Sequence, residues 1–349
     1  MSEPIRVAAC HASPVVLSAA ETTKKCIRLI HEAASNGAHL VVFPETYIPA
    51  FPLWSSMLAP TENHDLFARM ARESVYADGD EVAAIRAAAR ERGVAVSVGV
   101  SEKVRYSSAT LFNANLIIGG GDDGDGSVLV HHRKMMPTFF EKLTWSPGDG
   151  HGLRVVDIVA GAGRCKLGAL ICGENTNPLA RYALMAQGEQ LHVSAWPPIW
   201  PTRDPTTTGG AKNYDNVAAN RTRAAAHCFE AKCFGVLCAG YLDEAAVEAI
   251  VSACSDPDLV RRIIDHSPRG ASMFLDPTGA PVAGFTVREG VKEEKDYLQA
   301  EEGILYADLD LGKCVEGKQY HDVVGGYQRL DIFDLKVDRT RREPITLRD

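Results

Sequence analysis

Three reactive side chains stand just beyond short apolar runs: a carboxylate at Glu45, an amine at Lys134 and a thiol at Cys172. Residues 40–43 lead into Pro44-Glu45-Thr46-Tyr47, residues 128–132 into Arg133-Lys134-Met135, and residues 166–171 into Cys172-Gly173-Glu174-Asn175. Such runs read as strands. Strand ends are where open α/β sheets gather catalytic groups. A base, a cation and a sulfur nucleophile converging there can do covalent chemistry at an electrophilic carbon. Each residue alone has an ordinary reading as a surface charge or a buried thiol. On residue types alone, a shared site and three unrelated residues both stay open.

The elements that must position these side chains alternate along the chain. Strands are predicted at residues 5–10, 40–43, 94–100, 111–118, 128–132, 155–159, 166–171, 191–195, 234–239 and 304–308. Helices are predicted at residues 18–36, 81–92 and 213–232, and from Asn177-Pro178 to a stop at Gly188. A helical insert at residues 245–264 breaks near Asp256-Pro257. Residues 272–275 and 281–285 flank the turn Asp276-Pro277-Thr278-Gly279 as a hairpin. Several strands are joined by turns too short for a helical crossover. A mixed-sheet α/β sandwich therefore fits better than a purely parallel fold.

Composition narrows the function classes. The 349 residues are 46% hydrophobic and 23% charged, the balance of a globular protein. A net charge of −8 and the lack of a basic stripe argue against nucleic acid as a partner. No signal peptide or membrane-length apolar stretch is visible, so neither export nor membrane insertion is expected. The nine cysteines are odd in number and scattered, which suggests free thiols in a reducing, cytoplasmic setting. Cys228, Cys233 and Cys238 lack the tight pair spacing of a zinc site. The basic cluster Arg339-Thr340-Arg341-Arg342 reads as a solvated or subunit-contact segment. Gly161-Ala162-Gly163 fails the dinucleotide-binding fingerprint, and no phosphate-binding Gly-Lys-Ser/Thr loop or G-x-S-x-G elbow occurs.

The local sequences add a resemblance. Phe43-Pro44-Glu45-Thr46-Tyr47-Ile48-Pro49 resembles the segment around the catalytic glutamate of the nitrilase superfamily. His132-Arg133-Lys134-Met135-Met136-Pro137-Thr138 resembles its lysine segment. Leu170-Ile171-Cys172-Gly173-Glu174-Asn175, followed by Pro178-Leu179-Ala180-Arg181, resembles the nucleophile segment of the nitrilase branch. Glu141, before Gly148-Asp149-Gly150, is similar to a second family glutamate near the site. The resemblance spans roughly residues 5–312.

It implies a four-layer αββα sandwich with two mixed β-sheets, no metal and no organic cofactor. It also implies a homodimer or a higher spiral homo-oligomer. Residues 1–312 would form the catalytic domain and residues 313–349 a C-terminal extension at a subunit interface. The implied reaction is hydrolysis of an organic nitrile to acid and ammonia through a Cys172 thioimidate and thioester. An amidase using the same residues, or nitrile hydration to the amide, are the alternatives. Tyr47, Thr138, Phe139, Gly173 and Trp196 are candidates for the substrate pocket.

Two departures stand out. Many nitrilases carry Trp after the nucleophile, where this chain has Gly173. A family Gly-His-Tyr-x-Arg-Pro segment is replaced by Gly325-Gly326-Tyr327-Gln328-Arg329, with His321 just upstream.

Overall fold

Residues 5–11 read Ile-Arg-Val-Ala-Ala-Cys-His, mostly too apolar on both faces to border water, and they form a strand inside a sheet. The computed structural model describes residues 4–121, 125–161, 163–200, 202–207 and 212–345. Its strands are β1 (Ile5–His11), β2 (Leu40–Val42), β3 (Ala95–Lys103), β4 (Leu111–Ile118), β5 (Val128–Arg133), β6 (Val156–Ala160), β7 (Gly163–Ile171) and β8 (Leu191–Trp196). They continue with β9 (Phe234–Ala239), β10 (Ser272–Leu275), β11 (Pro281–Val282), β12 (Gly284–Arg288), β13 (Val291–Lys295), β14 (Tyr297–Leu298) and β15 (Gly303–Leu309). The helices are α1 (Ala19–Ser35), α2 (His64–Glu73), α3 (Asp80–Arg92), α4 (Pro178–Met185), α5 (Asn216–Ala231), α6 (Glu244–Val251), α7 (Pro257–His266) and α8 (Lys313–Tyr320).

An eight-stranded sheet runs β13-β12-β15-β1-β2-β3-β4-β5, and a seven-stranded sheet runs β11-β10-β9-β8-β7-β6 with β14 on β10. Both are mixed. β1, β2 and β3 are parallel, as are β7, β8 and β9, and their neighbours are antiparallel.

Alternation along each strand assigns the layers. Val7, Ala9 and Val42 of one sheet meet Leu167, Val193 and Val236 of the other. On the far side of the first sheet, Ala8, Val41 and Val96 meet Cys26 and Ile30 of α1 and Ile85 of α3. On the far side of the second, Leu237 and Met273 meet Ala224 and Cys228 of α5, while Leu170 meets Ala180 and Leu184 of α4. The result is the expected αββα sandwich.

Most expected elements occur within a few residues of their predicted bounds. Several features differ, among them strands β13 and β14, which were not expected. Residues 281–285 are not one strand: β11 pairs with β10 while β12 joins the other sheet, so the chain changes sheets at Ala283. Helix α2 was not expected; only Leu66 and Met70 of it are buried, too few to print a periodic stripe. The tail is partly anchored. Cys314 of α8 is buried, and Arg341 is not solvated but folds back to Asp149 at 3.0 Å and to the His131 carbonyl at 3.0 Å. That contact seats residues near the C-terminus against β5, the strand that ends at the lysine. No helix among the described residues is long and apolar enough to cross a membrane.

Candidate active site

The three strand ends do converge. Lys134 Nζ lies 2.8 Å from Glu45 Oε1 and 2.6 Å from Glu141 Oε2, and all three side chains are fully buried. Carboxylate oxygens of Glu45 and Glu141 and the Cys172 sulfur all lie within 4.8 Å of one another. Glu141 also accepts the Thr138 backbone N–H at 2.9 Å, which fixes the short 3-10 helix Phe139–Leu143 over the lysine.

Local backbone makes this geometry. Cys172 has φ of 49°, Thr46 of 45° and Phe139 of 47°, all in the left-handed region. Non-glycine residues there cost on the order of 1–2 kcal/mol each, and such strain tends to gather at working sites. Two glycines permit close approach. A Cβ at Gly99 would sit 2.3 Å from the Pro44 carbonyl oxygen, under the Glu45 turn. A Cβ at Gly148 would sit 2.6 Å from the Lys134 carbonyl oxygen, the same oxygen that accepts the Gly148 N–H at 2.8 Å.

Charge balance sets the electrostatics. Two carboxylates and one ammonium share a dry space, so the site carries excess negative charge. Burial pushes the Glu45 carboxyl up to about 7, against the lowering pull of Lys134, and Glu141 adds to the rise. Burial also works against the Lys134 ammonium, but Cys172, Glu141 and Glu45 outweigh it and hold the amine well above its usual range. The Cys172 thiol is pushed well up by burial and by Glu45, with Lys134 and Arg223 pulling the other way. The resting sulfur is therefore a thiol. A carboxyl balanced near neutrality beside it can act as the base. Among the described residues, Glu45 Oε2 and Glu141 Oε1 are buried without a hydrogen-bond partner, so acceptor capacity is left for a substrate or water.

Several supporting residues escaped the sequence reading. Asn113 donates to Glu45 Oε1 at 2.7 Å. Glu174 accepts the Ile171 N–H at 3.0 Å, the Met135 N–H at 2.6 Å and His132 Nε2 at 2.8 Å. It thereby ties the cysteine turn to the lysine segment. Burial would raise this carboxyl, but His132 and the backbone donors hold it below its usual value. Asn175 donates to the Cys172 carbonyl at 3.0 Å and to the Leu170 carbonyl at 3.2 Å. Its own oxygen lies 2.8 Å from His192 Nε2, and His192 Nδ1 lies 2.7 Å from Glu189. Polar residues inside predicted strands, as at Asn113 and His192, were the available signal.

The candidate pocket residues divide. Trp196 shares an apolar cluster with Cys172. Gly173 faces Thr138, whose Oγ1 an added Cβ would meet at 3.0 Å. Phe139 is 81% exposed and stands at the rim, its ring 6.2 Å from Phe140. Tyr47 is not brought into this group. Its hydroxyl donates to the Ser13 carbonyl at 3.3 Å and its ring packs 5.1 Å from Phe43 in the core. His321 lies in a separate groove with Phe229, Lys232 and Tyr320.

Two clusters among the described residues bring metal-type donors together: Glu45, Glu141 and Cys172, and Glu189, His227 and Cys233. In the first, the Lys134 ammonium already holds a cation's place between the carboxylates. In the second, both Glu189 oxygens are taken up by His192 and His227.

Known proteins resemble this chain over most of its length. A family model described as carbon-nitrogen hydrolase matches residues 6–319. An arylacetonitrilase of Hypocrea virens is 32% identical over 96% of this chain and 92% of its own length. A bromoxynil-specific nitrilase of Klebsiella pneumoniae subsp. ozaenae is 31% identical over 99% of this chain and 88% of its own. Among solved structures, a carbon-nitrogen hydrolase of Helicobacter pylori superposes with a TM-score of 0.65 at 18% identity, over 95% of this chain and 97% of its own. A Saccharomyces cerevisiae member of branch 10 of the nitrilase superfamily gives the same score at 17% identity, over 94% and 98%. With a family match over most of its length and these full-length relatives, the chain belongs to the carbon–nitrogen hydrolase family.

Proposed function

We propose that this protein is a nitrilase that converts an organic nitrile to the carboxylic acid and ammonia, with Cys172 as nucleophile. The observation that carries the reading is the dry cluster of a thiol, two carboxylates and an ammonium, all within a few ångströms. The curated relatives named as nitrilases support the choice of a nitrile.

Glu45 takes the thiol proton as sulfur adds to the nitrile carbon and passes it to the nitrogen, giving a neutral thioimidate and an ionised Glu45 again. Lys134 and the Gly173 N–H stabilise charge growing on the substrate nitrogen. The Glu45 carboxylate then takes a proton from water as the oxygen adds to the thioimidate carbon, while the Lys134 ammonium gives one to the nitrogen, forming a neutral tetrahedral adduct. Ammonia leaves with a proton from the acid form of Glu45, the adduct's hydroxyl proton returns to Lys134, and a thioester remains. A second water, activated the same way, releases the acid and restores the thiol. Glu141 fixes the lysine between the two carboxylates.

Ammonia release and mass analysis of products on a panel of nitriles and their amides tests this. Acid from nitriles is expected. Turnover of amides alone would mark an amidase, and amide as the main product a hydratase-like enzyme.

A pH dependence follows. Burial pushes Glu45 up to about 7, and only its ionised form can take the thiol proton. As pH falls below that value, kcat/KM is expected to drop about tenfold per unit. A flat profile through the acid range would remove Glu45 as the base.

The extension is proposed to seat against a second copy in a homodimer or spiral oligomer. Leu330, Phe333 and Tyr327 are 78%, 72% and 64% exposed, an apolar strip that single chains rarely leave bare.

A further inference from the structure

We propose that Arg223 is a specificity-determining residue that binds a carboxylate at the far end of the nitrile substrate. The proposal rests on the reading of Cys172 as the nucleophile.

Register places the arginine at the site. Ile171 of β7 pairs with Ala195 of β8, so Cys172 and Trp196 leave adjacent parallel strands side by side. Both share one apolar cluster with Ala224 of α5. Arg223 precedes Ala224, and its guanidinium carbon lies 5.4 Å from the Trp196 ring centre and 6.0 Å from that of Tyr214. The indole is held in place, because Trp196 Nε1 donates to Ser194 Oγ at 2.7 Å. The cation is close enough to favour the anionic forms of both the Cys172 thiol and the Tyr214 hydroxyl.

The arginine has donors to spare. Three other partly buried arginines pair with a carboxylate: Arg133 with Glu102, Arg181 with Glu230 and Arg341 with Asp149. Among the described residues, Arg223 has no carboxylate partner. Its side-chain bond to Asn220 Oδ1 is long, at 3.3 Å. Asn220 and the Tyr214 hydroxyl take up part of its donor set, and the remaining N–H groups of a guanidinium suit a carboxylate through parallel bonds. Gly173 adds no side chain of its own beside the nucleophile, and the Thr138 hydroxyl stands 3.0 Å from where an added Cβ would sit.

A cation that selects substrate differs in its readout from one that only tunes the thiol. The test compares matched nitriles: cyanobutanoate and para-(cyanomethyl)benzoate, each against its methyl ester. In the unaltered enzyme, kcat/KM is expected to favour the acid of at least one pair by roughly 10- to 100-fold, carried by KM. Arg223→Gln is expected to bring that ratio near one, because acid turnover falls by roughly 10- to 100-fold more than ester turnover. Arg223→Lys should keep part of the preference. The proposal is overturned if Arg223→Gln slows acid and ester equally, if the ratio does not change, or if the unaltered enzyme prefers both esters. If the unaltered enzyme hydrolyses none of the four nitriles at the cyano group, the nitrilase reading itself fails and takes this proposal with it.

Discussion

Cys172→Ala loses turnover by on the order of 10⁴-fold or more while the protein still folds. Removing a nucleophile removes the covalent route, and the remaining groups supply only binding and weak electrostatic help. The fold should survive because the change deletes one buried sulfur and none of the backbone contacts that shape the turn. Asn175 grips the Cys172 carbonyl and Glu174 grips the Ile171 N–H, and neither needs the thiol. The left-handed backbone at position 172 is no worse for alanine than for cysteine. Ammonia release followed beside a thermal melt checks both halves. A variant with substantial turnover would remove Cys172 from the chemistry, and one that fails to fold would show the sulfur to be structural.

Lys134→Met has the second largest expected effect, and it acts on activity and stability together. Without the ammonium, Glu45 and Glu141 face each other across a few ångströms of dry space. They cannot both stay ionised, so the Glu45 carboxyl, already raised by burial, rises further above its value in the unfolded chain. A carboxyl raised in this way contributes stability that is fully present below its unfolded value. That contribution is lost as pH rises through the folded value. The variant should therefore lose about 3–5 kcal/mol at pH of about 8 and recover much of it near pH of about 5. Denaturant melts at the two pH values check this. Turnover should fall by at least about 10²–10⁴-fold at either pH, because the group that balances developing charge is gone. Equal destabilisation at both pH values would show that the lysine's stem, and not its charge, is what the core requires.

The catalytic segments were legible because each is local. Proline and glycine punctuate the strand ends at Pro44 and Gly173, and the reactive residue follows the apolar run directly. The layers were legible for a similar reason: β-type runs alternate with helix-type patterns, and Gly93 closes α3 with φ of 66° as a stop signal should. What sequence could not show is partnership across the fold. Asn113 reads as one polar residue in a strand. It becomes a support for Glu45 once β4 pairs with β5 and the Lys134 N–H finds the Asn113 carbonyl at 2.7 Å. His192 is likewise a lone histidine until the β7–β8 register brings it to Asn175. Tyr47 shows the limit of adjacency in sequence. It is next to a catalytic segment in sequence, yet the turn at Thr46 sends its ring into the core. The change of sheet at Ala283 was invisible because one apolar run serves two sheets there.

The most direct measurement is the mass of the whole protein, quenched in acid during turnover of a nitrile. The expected result is an adduct equal to the nitrile, or to the acid less one water, located on the peptide that contains Cys172. Continued ammonia release from a protein that stays unmodified throughout, or an adduct on a different residue, would contradict the account.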